Sequence, residues 1–471
     1  MSRITPLILA VALFMENMDS TVIATSLPAI AADIGTEPIS LKLALTSYFV
    51  ALAIFIPLSG WVADRFGARN VFRCAIAVFM AGSICCAFSF SLETFVGARF
   101  IQGMGASMMT PLARLVLVRT TPRTELISAM AWLTLPALIG PLTGPPIGGL
   151  LTTYLSWHWI FWINIPIGIA GIILTSIYLP AVETRTPRPI DFPGFVMAGI
   201  AFAGIIFGLS VISLPAIPLV AGYAAVGTGL LSGWLYLRHA RRTEFPLLDP
   251  QLLVRHRLFR SAIIGGSVFR IGVGATPFLL PLMLQLAFGL NPFESGMITF
   301  IGALGAIVSK FVAERVFAAF GFPRVLALAS VAACLGLAGN GFFTPETPRV
   351  FLYGLLLALG LFRSVFFTGI NALGFSDVDE HEASQAAAIS AVSQQLSVAL
   401  GVAVAGAALE VSSSFTGGEL GLEAFHIAWF VISAVSLLSV FWFWRLPPDA
   451  GSDVSGHKAL PATPKPTDTP L

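Results

Sequence analysis

Long apolar runs separated by short polar segments make up most of this chain. Each run is about as long as an α-helix must be to cross a bilayer core of roughly 30 Å. The ten-residue alternation that is typical of a transmembrane β-strand is not seen. We mark fourteen such runs, which cover residues 7–30, 43–62, 72–91, 93–118, 126–151, 160–180, 192–212, 216–237, 261–285, 293–313, 324–344, 349–374, 386–410 and 424–445.

The composition favours a membrane protein over a soluble one. Apolar residues make up 56% of the 471 residues and charged residues only 11%, against roughly 25% charged in an ordinary soluble domain. The net charge of +2 gives no reason to expect a nucleic-acid partner. We therefore expect a monomeric, all-α, multi-pass protein that is not an enzyme and whose partners are the lipid bilayer and a small-molecule substrate.

The basic residues predict the orientation. If the N-terminus lies in the cytoplasm and the sides alternate, most of the 26 Lys and Arg residues fall in cytoplasmic segments. Lys42 and Arg349 then fall outside, and four arginines lie within the runs. This positive-inside bias supports both the count and an arrangement with both termini in the cytoplasm.

A weak internal repeat predicts two halves. Val62-Ala63-Asp64-Arg65 and Val312-Ala313-Glu314-Arg315 each follow the second run of a half, as expected for parallel repeats about an axis along the membrane normal. The predicted units are an N-terminal six-helix half (1–185), two linker helices (186–240), a basic cytoplasmic loop (241–260), a C-terminal six-helix half (261–446) and a disordered cytoplasmic tail (447–471).

Two acids in the first run are candidates for proton coupling. Glu16 and Asp19 are three residues apart and share one helix face. At 1.5 Å per residue they lie roughly 14 and 18 Å into the helix, near mid-bilayer, where a charge must face a cavity or a partner. Arg99 in the fourth run reaches a similar depth and is the natural partner. The alternative is a structural carboxyl group that never titrates.

Two arginines of the second half have no acid at their depth. Arg270 and Arg363 could bond backbone carbonyls, pair with Glu16 or Asp19 across a cavity, or bind an anionic group of a substrate. The polar residues Gln102, Asn371 and Gln285 complete the predicted substrate contacts.

The fifth run is rich in glycine and proline. Small residues permit close helix approach, and proline bends a helix and frees carbonyl groups. We expect this run to seal one side in one state and to open in the other, or simply to pack closely. Its predicted gating residues are Gly140, Pro141, Gly144, Pro145, Gly148 and Gly149.

Several short motifs stand out along the chain. They are Met18-Asp19-Ser20-Thr21 with Leu27-Pro28, Gly60 to Arg69 in the first inner loop, Arg99-Phe100-Ile101-Gln102-Gly103-Met104-Gly105-Ala106, Gly140 to Gly149, and Trp157 to Gly168. They resemble motifs of the major facilitator superfamily, and in combination those of its 14-spanner drug:proton antiporters. The chain departs from the first-run motif at Ala24, where asparagine is more usual.

The resemblance implies a major facilitator fold with two extra helices between the six-helix halves. It also implies alternating access and proton-coupled export, with a role for Arg99 in coupling. In the inner loop it implies a latch formed by Gly60, Asp64, Arg65 and Arg69, although a basic loop that only sets orientation is the alternative. The expected location is the bacterial cytoplasmic membrane.

Three functions remain open. The first is proton antiport that exports drug-like, amphipathic compounds. The second is export of an organic anion held by Arg270 and Arg363, and the third is a membrane sensor or scaffold that transports nothing. The histidines show no zinc-like spacing and no phosphate loop occurs, so we expect no cofactor and a proton gradient as the energy source.

Overall fold

The computed structural model describes residues 4–121, 126–179, 189–212, 218–379, 382–415 and 420–452. For some residues between 126 and 138 it describes the backbone only. The tail predicted to be disordered lies mostly outside these ranges. The α-helices are α1 Ile4–Val22, α2 Leu27–Ile34, α3 Lys42–Phe55, α4 Ser59–Phe66, α5 Ala68–Ala87, α6 Leu92–Thr120, α7 Leu126–Tyr154, α8 Trp159–Trp162, α9 Asn164–Tyr178, α10 Phe192–Ile212, α11 Leu219–Ala240, α12 Leu252–Arg255, α13 Arg257–Leu282, α14 Pro292–Phe320, α15 Phe322–Asn340, α16 Arg349–Gly374, α17 Ala383–Phe415, α18 Leu422–Leu437 and α19 Val440–Trp444.

The predicted all-α membrane class is confirmed. Thirteen helical segments in the described part of the chain are long and apolar enough to cross a membrane, and the 29-residue helix α7 stands at the predicted fifth run. Large apolar side chains such as Phe311 and Val350 lie on the outside, whereas Asp19 and Arg99 are buried. In a soluble protein the large apolar side chains are mostly buried and the charged ones exposed. The opposite arrangement here suits a lipid environment.

Helix ends depart from the predicted runs where turns intervene. The third run was expected at 72–91, but α5 spans Ala68–Ala87. Gly67 has a φ of +84° and sets the start of α5, and Ser91 caps α6 through the backbone amide of Thr94. Gly321, with a φ of +75°, stands at the matching turn before α15, as the repeat suggests.

Two groups of helices pack among themselves and meet along two seams. The first group comprises α1 to α9 and the second α13 to α19. The groups touch where α7 packs on α14 and where α3 packs on α17. Helices α10 and α11 pair with each other, and α10 also contacts both α3 and α17. The extra pair therefore covers the α3–α17 seam. The exact domain bounds stay a prediction.

The ends of the bundle are named here by their chemistry. The basic end carries the segment 241–256 and the turn at Gly67; the distal end carries the turns at 35–37, 155–158 and 288–291. Contacts join segments of the same end, for example Asp33 with Trp157 at the distal end, where the indole Nε1 lies 3.1 Å from Oδ2. Successive membrane-spanning helices therefore run in opposite directions between the two ends, as the fourteen predicted runs require.

The segment 241–256 at the basic end is closely packed. The Tyr236 hydroxyl donates to the carbonyl of Leu248 at 2.7 Å and accepts from its amide at 2.8 Å. Asp191 binds His239 at 2.6 Å and accepts from the amide of Leu247 at 3.2 Å. This segment links the helix groups as a folded element rather than as a loose tether.

An ion pair docks the end of this segment on the second group. His256 Nε2 lies 2.6 Å from Glu382 Oε2, and Arg255 also bonds Glu382. The hydrogen bond to Glu382 raises the pKa of His256, with a smaller contribution from Asp377. The same bond to His256 lowers the pKa of Glu382, as does the charge of Arg255.

We predict that this docking loosens as the pH rises. A raised histidine pKa gives stabilisation that is present below its ordinary value of about 6.5 and is lost as the pH rises past the folded value. The lowered Glu382 pKa gives stabilisation lost only in stronger acid. Hydrogen exchange of the 241–256 peptides, corrected for intrinsic rates, should increase from pH 6 to pH 8. Glu382→Gln should remove this pH dependence; an unchanged dependence in that variant contradicts the assignment.

Candidate substrate and proton site

Asp19 is held in a closed network on the inner face of α1. Its Oδ2 accepts from Arg99 Nη1 at 2.7 Å, and its Oδ1 accepts from Gln102 Nε2 at 2.9 Å and from Asn164 Nδ2 at 2.7 Å. Asp19, Gln102 and Asn164 are fully buried, and Arg99 is 1% exposed. The carboxylate is therefore satisfied on both oxygens by fixed donors, away from any opening.

Neighbouring helices supply the rest of the network. Ser83 on α5 accepts from Gln102 at 2.7 Å and from Asn164 at 3.1 Å. The guanidinium of Arg99 stacks 4.3 Å above the ring of Tyr48, an arrangement that stabilises a buried cation. Five helices of the first group, α1, α3, α5, α6 and α9, thus converge on the Asp19–Arg99 pair.

Glycines of the Arg99 motif allow this convergence. A methyl group on Gly103 would lie 2.9 Å from the Ala51 side chain and 3.1 Å from the Cα of Tyr48. One on Gly105 would lie 2.7 Å from the carbonyl oxygen of Ala75. Because neither glycine carries a side chain, α6 can approach α3 and α5 closely enough for Arg99 and Gln102 to reach Asp19.

Glu16 occupies a different environment, one turn before Asp19. It is partly buried and accepts one hydrogen bond, from Thr110 Oγ1 at 2.9 Å. Among the described residues, no side chain other than Thr110 donates a hydrogen bond to it. The two acids share a helix, but only Glu16 keeps capacity for a further ligand or a proton.

The predicted substrate residues lie in different surroundings: two form hydrogen bonds inside the protein, and two line a cavity. Gln102 lies inside the Asp19 network and has no exposed surface. Gln285 donates from Nε2 to the backbone carbonyl of Thr25 at 2.8 Å, across the contact between the two groups. Both amides thus form hydrogen bonds within the protein, and their contact with a substrate stays a prediction.

Arg270 and Asn371 do line a common cavity. It also includes Ser390, Ser393 and Gln394 on α17. The Arg270 guanidinium lies 4.5 Å above the ring of Phe367. Within the described residues, Arg270 and Arg363 form no hydrogen bond or ion pair. Ser390, Ser393 and Asn164 were missed from the sequence as site residues. The two serines are signalled only by their polarity within an apolar run, whereas Asn164 lies in the Trp157 to Gly168 motif.

The fifth-run glycines bring α7 against α1. A methyl group on Gly140 would lie 2.9 Å from the backbone of Met18, and one on Gly144 would collide with the Thr21 hydroxyl. Gly148 faces the carbonyl of Val22 just as closely. The helix runs without interruption through Pro141 and Pro145.

The same helix also closes the distal end against the second group. A methyl group on Gly149 would lie 2.7 Å from the Cα of Phe293, and the Phe293 amide donates to Thr153 Oγ1 at 3.1 Å. A methyl group on Gly296 would meet the carbonyl of Pro145. Of the residues predicted to seal one side, Pro145 and Gly149 therefore lie in a tight contact between the groups. The three glycines that pack on α1 lie within the first group, and the movement of α7 remains a prediction.

The loop residues Asp64 and Arg69 bind within the first group. Asp64 Oδ1 accepts from Arg119 Nη2 at 2.6 Å, and Arg69 donates to the carbonyl of Ser176. Arg65 is exposed, and Gly60 has open space where a side chain would lie. The loop thus ties α4 and α5 to α6 and α9 at the basic end, as a latch to neighbouring helices would.

Comparison with known proteins agrees with this architecture. The model of the Major Facilitator Superfamily matches residues 9–254 and 262–468. The chain belongs to the Major Facilitator Superfamily. The resemblance inferred from the motifs is confirmed, and the chain is a multi-pass membrane transporter of small molecules rather than an enzyme.

Curated relatives match over nearly the whole chain. A protein of Pectobacterium atrosepticum named "Putative multidrug resistance protein MdtD" is 35% identical over 450 residues, covering 94% of this chain and 95% of its own. A protein of the same name from Escherichia coli O6:H1 is 34% identical over 455 residues, with 95% of each chain covered.

Solved structures share the fold at low sequence identity. The transporter PepTSo of the POT family superposes with a TM-score of 0.70 at 16% identity, covering 94% of this chain and 97% of its own. A D-xylose-proton symporter superposes with a TM-score of 0.68 at 14% identity, covering 95% of this chain and 98% of its own. At such identities the likeness supports the fold alone.

The α1–α7 contact leads to a stability prediction. Gly148→Ala should lower the unfolding free energy by roughly 1–3 kcal/mol, because its methyl group would overlap the Val22 carbonyl and force two backbones apart. Gly60→Ala is the matched control, since nothing lies within 4 Å of its added methyl group. Thermal unfolding in detergent measures both. Equal midpoints for the two variants contradict the close contact.

Proposed function

We propose that the chain is a proton-coupled exporter of drug-like, amphipathic small molecules, with Glu16 rather than Asp19 as the group that exchanges the proton. The difference in bonding between the two acids carries this proposal. Asp19 accepts hydrogen bonds from Arg99, Gln102 and Asn164, so both of its oxygens are occupied by donors of the protein. Glu16 has one hydrogen bond and partial exposure. The names of the relatives support a drug-like cargo.

Because the proton and the cargo compete for one carboxylate, they are transported in opposite directions. Ionised Glu16 attracts a cationic group of the cargo, and protonated Glu16 does not. A proton and a cationic cargo then exclude each other, and each favours the conformation in which it binds better. Cargo affinity should fall as the pH drops. The proton gradient supplies the energy, and no cofactor is required.

The charge pattern supports an orientation. We place the basic end in the cytoplasm and the distal end outside, in a bacterial inner membrane, since cytoplasmic segments are enriched in Lys and Arg. Both termini then lie in the cytoplasm. A monomer suffices, because one chain holds both helix groups. The tight α7 contact with α14 would seal the outside while the cavity is open to the cytoplasm.

Neutralising Glu16 tests the proposal. In inverted vesicles with an imposed pH gradient, Glu16→Gln should reduce ethidium uptake roughly tenfold or more, with little change in thermal stability because only the bond from Thr110 is weakened. Glu16→Asp, which keeps a carboxyl group, should retain part of the activity. Wild-type uptake rates in Glu16→Gln would refute the role of Glu16, and no uptake of either cationic or anionic dyes by the wild type would favour a sensor or scaffold.

Asp19→Asn provides the contrasting variant. It leaves the Arg99 guanidinium buried without a counter-charge, which typically costs about 3–5 kcal/mol. Its midpoint of thermal unfolding should therefore fall well below that of Glu16→Gln. If Asp19→Asn is as stable as the wild type and loses only the coupling, the roles assigned to the two acids must be exchanged.

A second candidate function follows from the arginines of the second group. Arg270 faces a cavity with Asn371 and several hydroxyl and amide groups, and no described acid pairs with it. We infer that an organic anion could bind there through charge-assisted hydrogen bonds. Protonation of Glu16 would then assist binding, and acid would raise rather than lower cargo affinity.

Two dyes of opposite charge separate the two cargo classes. Losing one charge-assisted hydrogen bond of about 1.5–3 kcal/mol should lower fluorescein transport roughly 10- to 100-fold in Arg270→Gln. Ethidium transport should be nearly unchanged. Arg270→Lys, which keeps the charge, should lose less. If Arg270→Gln transports both dyes as the wild type does, the anion hypothesis fails.

A further inference from the structure

An ion pair joins the two helix groups at the distal end of the α3–α17 seam. Lys42 is the first residue of α3, and Glu410 lies on α17. The Lys42 Nζ and the Glu410 Oε2 are 3.1 Å apart. The Lys42 side chain is fully buried, and that of Glu410 is 16% exposed. A cation of the first group is thus inserted beneath the surface of the second.

The surface of α17 is shaped to receive this lysine. Gly406 precedes Glu410 by one helical turn and lies on the same face. A methyl group on Gly406 would collide with the Cδ of Lys42 and would lie 3.2 Å from its Nζ. The glycine therefore leaves a groove for the aliphatic stem of Lys42, whose ammonium group then reaches the carboxylate one turn further on.

The energetics of such a pair depend on the state of the seam. Two ions taken out of water are stabilised only while they stay together, and a buried ion that loses its partner without gaining water is strongly destabilised. When the distal ends of the helix groups separate, both ions become hydrated together. The pair therefore permits a closed seam and an open one, and disfavours a partly open one.

The other contacts at the distal end are of a different kind. Across the α7–α14 seam, the Phe293 amide bonds the Thr153 hydroxyl, and nearby Gln285 bonds the carbonyl of Thr25. These hydrogen bonds connect neutral groups, and glycines pack against backbone beside them. Lys42–Glu410 adds a charged contact on the opposite seam.

We propose that Lys42 and Glu410 form a latch that holds the distal end of the α3–α17 seam closed and that must open each time the cavity opens to that side. Gly406 is the positioning residue of this latch. Alternating access in this fold requires the two halves to rock about a central site, and a contact between the halves at one end must break in that motion. The proposal requires neither Glu16 as proton carrier nor a particular cargo.

Hydrogen exchange on the full-length protein in nanodiscs tests the latch. Lys42→Met and Glu410→Gln should each raise the exchange rate of peptides 35–45 and 403–414 roughly tenfold or more, since the closed state loses its charged contact. Gly406→Ala keeps both charges but blocks the groove, and should have the same effect. The charge exchange Lys42→Glu with Glu410→Lys should restore slow exchange in part.

Arg349→Met is the matched control. It removes an exposed positive charge from the same end without touching the seam and should leave both peptides unchanged. If Lys42→Met and Glu410→Gln match the wild type at these peptides, the latch is refuted. An increase spread over the whole chain, including the α5–α6 region around Ser83 and Arg99, with no recovery on charge exchange, also overturns it.

Discussion

The burial of Asp19 against Arg99 is the interaction on which the first helix group depends. Neither ion could remain in a low-dielectric interior alone, so each requires the other. Gln102 and Asn164 donate to the Asp19 carboxylate, and Ser83 accepts from both amides. These bonds fix how closely α1, α5, α6 and α9 approach, and glycines on α6 make that approach sterically possible. One charged contact thus determines the packing of four helices.

The depth of a residue in the membrane could be predicted from the sequence, but the neighbour that its side chain faces could not. Counting along two helices placed Asp19 and Arg99 at similar depths, and the structure joins them. Gln102 and Gln285 were predicted to contact the substrate, yet one faces the Asp19 network and the other the opposite helix group. Asn164 was missed because its contact with Asp19 spans 145 positions in sequence and depends on how α9 packs against α1.

Charge is divided between the two helix groups in an uneven way. The first group carries acids at mid-membrane, one fully paired and one nearly free. The second group carries Arg270 and Arg363, which lack an acidic partner among the described residues. The contrast between a saturated acid and an available one, three residues apart, shows that neighbouring positions on one helix face can have opposite roles. Asp19 is fully buried and accepts from three donors, whereas Glu16 is partly exposed and accepts from one side chain.

The placement of α10 makes the two sides of the transporter unequal toward the lipid. Since α10 contacts both α3 and α17, it screens that junction from the acyl chains, and any rocking of the halves must either break one of these contacts or carry α10 along. The junction of α7 with α14 has no such cover among the described helices. Among the described helices, the α7–α14 junction is therefore the side that a lipophilic compound in the bilayer would meet without a covering helix.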